Sequence, residues 1–546
     1  MQKKIVLIFT LTFIILTYSP FYPQGVQRPK LVVGIVVDQM RFDYLYRYLP
    51  FYGKDGFRRL MDEGSNFTFA HYNYEATKTA PGHSSIYTGT TPFFHGIIGN
   101  DWYDKQSKRT VNAVADPNYK SVGSNDTEGE ASPKKLLATT ITDQLKLASK
   151  GKAKVISISF KDRAAILPGG HMPNGAYWYD KKNGGFVTST YYMKSLPEWV
   201  SRFNNKKLSD RYLTEGWHLS LPDGEYSISA PDESNSEEDV FNEGRTSFPH
   251  TFNNVKSEEK YSVLGSSPFG DELIAEFAKQ ALIGENLGKG EWTDFLAISF
   301  SSTDIVAHAY GTDSYETEDM YIKLDATIAD LLSTLDKTVG AGNYLLFLSA
   351  DHAGLDTPLF LKENNFPTGG LMNKSFNASV KTFVAQKFGS ENLIENFSNK
   401  QIYFSRTELK KRGVDIHILE QKTADFIRDS FPVVSSIYTR DNLSGLQATR
   451  EPVNPTLNSF NPALSGDIVY TLQPGYLPNF MDKGTTHGSE YSYDTHVPII
   501  FYGWNIPKQI VNTPVYTVDI AATIADLLKI TEPSASLGIP IIKNER

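Results

Sequence analysis

Short runs of apolar residues along the chain end repeatedly in polar residues. Four runs show this most clearly, and they cover residues 31–37, 155–160, 295–300 and 344–350. Their hydrophobicity is continuous rather than alternating, which is typical of strands buried on both faces in a mainly parallel sheet. The polar residues at their ends are Asp38, the Lys161-Asp162-Arg163 segment, Asp304 after a short Ser-Ser-Thr stretch, and Asp351-His352.

Between these runs, apolar residues recur at the three- and four-residue spacing of helices, most clearly over residues 317–339. A last helix is predicted near 520–528, with Asp519 placed to cap its start. Strands that alternate with helices predict an α/β fold, in which a mainly parallel central sheet carries helices on both faces. Ligands of such sheets bind beyond the carboxyl ends of the strands, where the polar residues fall.

Two stretches interrupt this pattern. Residues of about 181–290 are rich in Tyr, Asn, Ser, Gly and Pro, and residues of about 385–475 carry short helix and strand signals of their own. We interpret both as inserted subdomains of a single catalytic domain that spans residues 26–546.

The first 25 residues have the pattern of a signal peptide. Lys3 and Lys4 precede an apolar run over residues 5–16, which is shorter than the roughly 20 residues of a membrane-spanning helix. The pattern predicts export to the periplasm or the medium, and an uncleaved anchor is the alternative. No later segment approaches membrane-spanning length, so no membrane partner is expected.

The composition restricts the chemistry. The 546 residues include no cysteine, which excludes disulfides, thiolate catalysis and cysteine metal sites. Any bound metal must therefore be held by imidazole nitrogen and carboxylate oxygen. The net charge of -8 argues against a nucleic-acid-binding surface, which would be basic.

Several carboxylates and imidazoles have the pattern of a metal site. The candidate ligands are Asp38, Asp304, His308, Asp351, His352 and His487. This set is large enough for two sites of mixed nitrogen and oxygen ligands, which suits zinc, with manganese and iron as alternatives. Each residue alone is compatible with a structural role, but the position of the carboxylates and His352 at predicted strand ends favours a metal centre. His496 is the most tempting further ligand, but because it precedes a predicted strand we interpret it as a structural residue or as one that supports a ligand.

Thr79 lies where a loop is predicted to enter a helix, with Pro81 near the first turn. A hydroxyl there faces free backbone N–H groups and the positive end of the helix, and both favour an anionic phosphoryl group. Threonine is a poor nucleophile unless a base or a metal stabilises its alkoxide. The alternative is that Thr79 is an ordinary helix N-cap.

These features together resemble the alkaline phosphatase superfamily, and most closely its phosphate-irrepressible alkaline phosphatases, which use a threonine nucleophile. The matching stretches include LVVGIVVDQMRFDYLYRY, TKTAPGHSSIYTGTTPFFHGIIGNDWYDK, SFKDRAAILPGGH, SSTDIVAHAYG, YLLFLSADHAG and KGTTHGSEYSYDTHVP. They begin at residue 31 and continue beyond residue 498, so the resemblance covers nearly the whole mature chain.

The resemblance implies two Zn²⁺ ions per chain and a phosphothreonine intermediate on Thr79. The implied ligands of the first ion, which activates the leaving-group oxygen and later the water, are Asp304, His308 and His487. Those of the second ion are Asp38, Asp351, His352 and the Thr79 oxygen. The groups implied to bind the phosphate oxygens are Asn100, Lys161 and Arg163.

The charges of this site indicate the substrate class. Two divalent ions, three carboxylates and the Lys161 and Arg163 cations give a net charge of about +3, which favours dianionic phosphate monoesters as small-molecule substrates. A phosphodiesterase or phosphonate hydrolase of the same superfamily is the nearest alternative, and a secreted binding protein without turnover is another. The oligomeric state stays open, and a monomer is compatible with the sequence.

Overall fold

The computed structural model describes residues 27–542, and the predicted signal peptide at 1–25 lies outside them. In this part of the chain, no helix has both the length and the apolar character needed to cross a membrane. In chain order, the strands are β1 (Leu31–Val37), β2 (Ser65–Phe67), β3 (Ala70–His71), β4 (Asp101–Asp104), β5 (Arg109–Asn112), β6 (Ser121–Val122), β7 (Val155–Ser159), β8 (Gly175–Tyr179), β9 (Phe186–Ser189), β10 (Asp294–Phe300), β11 (Tyr344–Ser349), β12 (Gly369–Gly370), β13 (Ile394–Ser398), β14 (Gln401–Phe404), β15 (Val434–Thr439), β16 (Ile468–Leu472), β17 (Tyr476–Leu477), β18 (Ile499–Gly503), β19 (Gln509–Val511) and β20 (Val515–Tyr516).

The α-helices are α1 (Tyr44–Arg47), α2 (Phe57–Glu63), α3 (Thr79–Thr88), α4 (Pro92–His95), α5 (Ile141–Ala148), α6 (Asp162–Gly169), α7 (Glu198–Asn204), α8 (Leu208–Glu215), α9 (Phe269–Gly284), α10 (Ser302–Tyr310), α11 (Tyr315–Leu335), α12 (Pro358–Glu363), α13 (Asn373–Phe388), α14 (Arg406–Arg412), α15 (Ile416–Ser430), α16 (Arg440–Leu443), α17 (Pro455–Ser459), α18 (Ser492–Thr495) and α19 (Asp519–Leu528).

The central sheet has ten strands in the order β19-β2-β18-β11-β1-β10-β7-β8-β9-β6. Its middle strands, from β11 through β1, β10 and β7 to β8, pair in parallel. Antiparallel pairing begins on either side of them, where β18 joins β11 and β9 joins β8. The predicted α/β class with a mainly parallel sheet is confirmed, and the antiparallel flanks add a feature that the apolar runs did not indicate.

The side chains of β1 explain why helices cover both faces of the sheet. Successive residues of a strand point to opposite faces. Val33 and Ile35 belong to a buried cluster that includes apolar residues of α9 and α11, whereas Val32 and Val36 belong to a second cluster with residues of α3, α5 and α19. The continuous apolar run therefore stabilises two helical layers at once.

Two predicted helices occur with shifted ends. Helix α11 begins at Tyr315, where the Ser314 side chain accepts a hydrogen bond from the Thr317 N–H, and it ends at Leu335. Helix α19 begins at Asp519 itself, and Val518 holds the N-cap position without a side-chain cap. The predicted capping role of Asp519 is therefore wrong. Its carboxylate instead binds the Arg450 guanidinium at 2.7 Å, a partner too distant in sequence to be foreseen.

The two interrupting stretches have different structures. The later one contains a separate four-stranded sheet in the order β13-β14-β16-β15, which packs with α13 and α15 around its own apolar cluster. The earlier one contributes β9 to the central sheet and contains α9, whose apolar residues join the main core. The division of the chain into one catalytic domain with two insertions stays a prediction.

Candidate active site

Polar residues from four neighbouring strands meet at one edge of the central sheet. Strands β11, β1, β10 and β7 are adjacent and parallel, so their carboxyl ends lie side by side. The polar residues that follow these ends are, in the same order, Asp351 and His352, Asp38, Asp304 at the start of α10, and Lys161. The topology of the sheet thus brings together residues that are separated by more than 300 positions.

Asp38, Asp351 and His352 form the tightest group. One ligand atom from each lies within 4.8 Å of the others, and His352 Nε2 is 3.3 Å from Asp38 Oδ1 and 3.6 Å from Asp351 Oδ2. All three side chains are fully buried, and these three atoms have no hydrogen-bond partner among the described residues. Buried polar atoms are normally paired, so this donor set fits a bound cation.

A second group consists of Asp304, His352 and His487. The structure thus places His352 between the two groups, with its ring stacked on that of His487 at a centroid separation of 3.5 Å. His308 was expected in this group, and its Nε2 lies 3.2 Å from Asp304 Oδ1. Nε2 of His487 lies 3.7 Å from the same oxygen, so the three residues predicted to share this ion lie close together.

Backbone carbonyls orient two of these imidazoles. Nδ1 of His308 lies 2.7 Å from the Thr485 carbonyl oxygen, and Nδ1 of His487 lies 2.7 Å from that of Thr77. A proton on Nδ1 leaves Nε2 as the atom with a free lone pair, which is the usual arrangement of metal-binding histidines. Burial lowers the pKa of His487 well below its usual value, aided by the nearby His352, and keeps its imidazole neutral.

Lys161 occupies the space between two carboxylates. Its Nζ is 2.5 Å from Asp38 Oδ2 and 2.5 Å from Asp304 Oδ2. Burial opposes the charge of this ammonium, but Asp304 and Asp38 outweigh burial and raise the pKa of Lys161. The ammonium compensates the two carboxylates in the way that a metal cation would, which is a second sign that this edge of the sheet suits cations.

The carboxylates of the tight group differ in their proton affinity. Burial raises the pKa of Asp351 well above its usual value, and the neighbouring Asp38 adds to this effect. Burial and Asp304 act in the same direction on Asp38, but Lys161 and His352 outweigh them and lower its pKa. In the tight group, Asp351 therefore takes up a proton more readily than Asp38 does.

Thr79 is the first residue of α3, and Lys78 holds the N-cap position without a side-chain cap. The alternative that Thr79 is an ordinary N-cap is therefore wrong. The hydroxyl-bearing residue lies at the helix end where free N–H groups favour an anion. Beneath it, His83 is fully buried, with Nδ1 3.0 Å from the Thr79 carbonyl oxygen and 3.4 Å from Asp351 Oδ2.

Gly82 brings α3 against the metal-binding edge. A Cβ atom at this position would lie 2.1 Å from the Asp351 carbonyl oxygen, a separation that no side chain tolerates. The absence of a side chain thus lets the helix start, with Thr79, lie beside the carboxylate group. From the sequence alone, Gly82 was only one of the residues at the predicted start of a helix.

We expect Gly82→Ala to destabilise the protein by about 1–3 kcal/mol, the usual cost of overpacking, and to lower the turnover rate because Thr79 moves with the helix. Thermal unfolding and steady-state kinetics measure both effects. Gly224→Ala is the matched control, since no atom lies within 4 Å of its added Cβ. If Gly82→Ala and Gly224→Ala had the same stability and the same turnover rate, the close approach of α3 to Asp351 would be unimportant.

Of the three predicted phosphate-binding residues, Asn100 lies at this helix start, and Lys161 and Arg163 lie at the start of a helix that packs against α3. The Asn100 side-chain oxygen accepts a hydrogen bond of 2.8 Å from the Ala80 N–H, which fixes the amide next to Thr79. Lys161 and Arg163 stand at the start of α6, which packs against α3. Within residues 27–542, the buried Nε of Arg163 has no hydrogen-bond acceptor. A phosphate oxygen would supply one.

Some residues of the site were missed or misjudged from the sequence. Gln39, directly after Asp38, donates its backbone N–H to Asp351 Oδ1 at 3.2 Å, and a position next to a ligand was the only available signal. His496 is not brought to the site, because its ring stacks on His71 at a centroid separation of 4.5 Å. A structural role for His496 follows from that packing.

The site combines a hydroxyl-bearing residue at a helix start with a neighbouring edge of buried carboxylates and imidazoles that fits bound cations. A profile of the type I phosphodiesterase/nucleotide pyrophosphatase family matches residues 32–494. The match includes all the strands that form the site. The chain therefore belongs to this family, within the alkaline phosphatase superfamily.

Comparison with individual similar proteins narrows the type of enzyme within this family. Alkaline phosphatase PhoV of Synechococcus elongatus is 43% identical over 520 residues, which are 95% of this chain and 93% of PhoV. Alkaline phosphatase PafA of Elizabethkingia meningoseptica is 41% identical over 521 residues, 95% of this chain and 94% of PafA. The crystal structure of wild-type PafA matches with a TM-score of 0.90 at 41% identity, covering 95% of this chain and 99% of that chain. The resemblance and the prediction of an alkaline phosphatase enzyme are confirmed.

Proposed function

We propose that the protein is an exported alkaline phosphatase that hydrolyses small phosphate monoesters through a phosphothreonine intermediate on Thr79, with two Zn²⁺ ions per chain. The observation that carries the proposal is the convergence of three buried, unpartnered ligand atoms on Asp38, Asp351 and His352. These residues would hold one ion together with the Thr79 oxygen, and Asp304, His308 and His487 would hold the other.

The chain's own groups account for most of the mechanism. Zinc at these positions supplies Lewis-acid stabilisation of oxyanions. Thr79 presents its hydroxyl at the start of α3, where the helix end stabilises an anionic phosphoryl group. As the hydroxyl proton passes to solvent, the Thr79 oxygen bonds to phosphorus while the bond to the leaving oxygen breaks in line, and the departing alkoxide takes up a proton from solvent. Asn100 donates its amide N–H to a phosphate oxygen, since its side-chain oxygen is already engaged by Ala80. Water then hydrolyses the phosphothreonine.

Lys161 and Arg163 select the monoester. Lys161 Nζ pairs with Asp38 and Asp304, and bound metal ions would compensate these carboxylates in its place, which would leave the ammonium available to the substrate. Two cations at the phosphoryl group favour its dianion over the monoanion of a diester. Crowding by the same side chains also disfavours the second ester group, which argues against the phosphodiesterase alternative.

We therefore expect Lys161→Ala and Arg163→Ala each to lower kcat/KM for an aryl phosphomonoester by about 10²–10³-fold, in the range found when one oxyanion-stabilising donor is removed. The loss on the matching aryl diester should stay below about tenfold. Parallel steady-state assays of the two esters give both ratios.

Lys182→Ala is the control for these variants, because its side chain is 61% exposed and lies in contact range only of surface carboxylates. It should change neither ester's rate. Equal losses on the monoester and the diester in Lys161→Ala and Arg163→Ala would contradict the selective role of the two cations and favour the phosphodiesterase alternative.

A further inference from the structure

A cavity of about 240 Å³ opens beside the candidate active site. Its wall includes His487 and Lys78, the residue directly before Thr79. The facing wall comes from the four-stranded sheet, with Asn399 and Lys400 between β13 and β14, and Tyr470 on β16. The cavity therefore lies between the phosphoryl-transfer site and the sheet of the later interrupting stretch.

Lys78 lines this cavity, and its ammonium is bonded to an amide rather than to a carboxylate. Its Nζ donates to the Asn399 side-chain oxygen at 2.7 Å, while the Glu75 and Asp101 carboxylates act on it as more distant charges and only partly offset the lowering of its pKa by burial and by Lys400. Asn399 is itself held by a hydrogen bond of 2.6 Å from its Nδ2 to the Asp101 carbonyl oxygen. A neutral amide thus positions the charge of Lys78 and leaves two of its N–H donors for a ligand.

The neighbouring Lys400 provides a contrast. Its ammonium pairs with the Glu75 carboxylate and also donates to the Gly488 carbonyl oxygen at 2.7 Å. Lys400 is therefore compensated within the protein, although it lines the same cavity. The stem of Lys78 packs beside Gly488, where an added Cβ would lie 3.4 Å from Lys78 Cε, so its ammonium is held in place at the cavity wall.

The acidic residue that lines the cavity is Asp494. Its Oδ2 accepts hydrogen bonds from the Gly488 N–H at 3.0 Å and the Ser489 N–H at 2.8 Å, and from the Ser489 hydroxyl. These donors offset part of its charge, and burial raises the pKa of Asp494 to about 7. The aromatic rings of Tyr476 and Tyr493 complete the wall and offer flat surfaces to an organic group.

We propose that this cavity binds the alcohol part of the phosphate ester, and that Lys78 recognises an anionic substituent on it, such as a carboxylate or a second phosphate. The inference rests on the proposed function, because His487, on the cavity wall, belongs to the group that faces the leaving-group oxygen. The substrate class is then phosphate monoesters whose alcohol carries a negative charge.

The test compares 4-carboxyphenyl phosphate with 4-carbamoylphenyl phosphate, which are similar in size and differ in charge. The quantity measured is the ratio of kcat/KM for the carboxylate ester to that for the amide ester. We expect Lys78→Met to lower this ratio about tenfold relative to the wild type, since hydrogen bonds to charged groups contribute about 1.5–3 kcal/mol. Lys78→Arg should retain most of the ratio. Differences in leaving-group reactivity cancel in this comparison between variants.

A second measurement separates binding from turnover. Dissociation constants of (4-carboxybenzyl)phosphonate and (4-carbamoylbenzyl)phosphonate, measured by calorimetry on the zinc-loaded protein, should show the same dependence on Lys78. An unchanged ratio in Lys78→Met, by kinetics and by calorimetry, would overturn the subsite. Failure of the wild type to hydrolyse either ester would instead overturn the proposed function, and the phosphonates would still decide the subsite.

Discussion

Thr79→Ala is expected to abolish the covalent phosphoenzyme and to lower kcat for an aryl phosphomonoester on the order of 10⁴-fold, because it removes the attacking oxygen and leaves only charge stabilisation by the rest of the site. Two readouts measure the effect. Labelling with radioactive phosphate, followed by acid quench and mass spectrometry, detects phosphothreonine, and rapid mixing detects the burst of released phenol.

Two further variants make this result specific. Thr79→Ser keeps a hydroxyl at the helix start and should retain a phosphoenzyme on the new side chain. Thr88→Ala, at the other end of α3, removes a hydroxyl that bonds the Ser84 carbonyl and should leave labelling intact. A phosphoenzyme that persists in Thr79→Ala would refute the nucleophile assignment.

Asp351→Asn is expected to lower the bound zinc from two ions to one per chain and kcat on the order of 10³-fold. The reason is that the neutral amide replaces a charged oxygen in a fully buried group of three ligand atoms. Elemental analysis after dialysis gives the stoichiometry, and assays with added zinc test whether high metal concentration restores activity.

The matched control is Asp526→Asn, a partly exposed carboxylate on α19 that pairs with Lys529. Surface pairs of this kind contribute little to stability, so metal content and rate should equal those of the wild type. Two bound ions in Asp351→Asn would contradict the assignment of Asp351 as a ligand.

The sequence predicted the site best for residues whose position follows from a local apolar pattern and from the direction of a strand. Continuous apolar runs located β1, β10 and β11 to within one or two residues, and parallel pairing then brought Asp38, Asp304 and Asp351 to one edge of the sheet. A continuous apolar run indicates the position of such a strand because helices cover both faces of the sheet. The position of the residues directly after such strands, at the edge of the sheet, can therefore be predicted from the sequence.

Features set by long-range contacts were not predictable. The loop with His487 is held in place by hydrogen bonds to residues that are far away in sequence. For example, the Thr485 hydroxyl donates to the Leu355 carbonyl oxygen. The same is true of the position of Asn399 next to Lys78. The steric need for Gly82 depends on the approach of α3 to Asp351. No local propensity encodes these distances.

The motif resemblance supplied what spacing alone did not. Asn100, Lys161 and Arg163 read locally as a turn residue and a charge pair at a strand end. The structure gathers them near Thr79, yet their roles in phosphate binding stay part of the proposal. Variants at Lys161 and Arg163 are therefore as informative about the substrate class as those at Thr79 are about the nucleophile.

The most direct test of the account compares the rates of an aryl phosphomonoester and the corresponding diester, before chelation, after chelation and after zinc is restored. We expect the monoester to be hydrolysed much faster, chelation to abolish this activity, and two equivalents of zinc per chain to restore it. A faster reaction with the diester, or a monoester rate that survives removal of all metal, would contradict it.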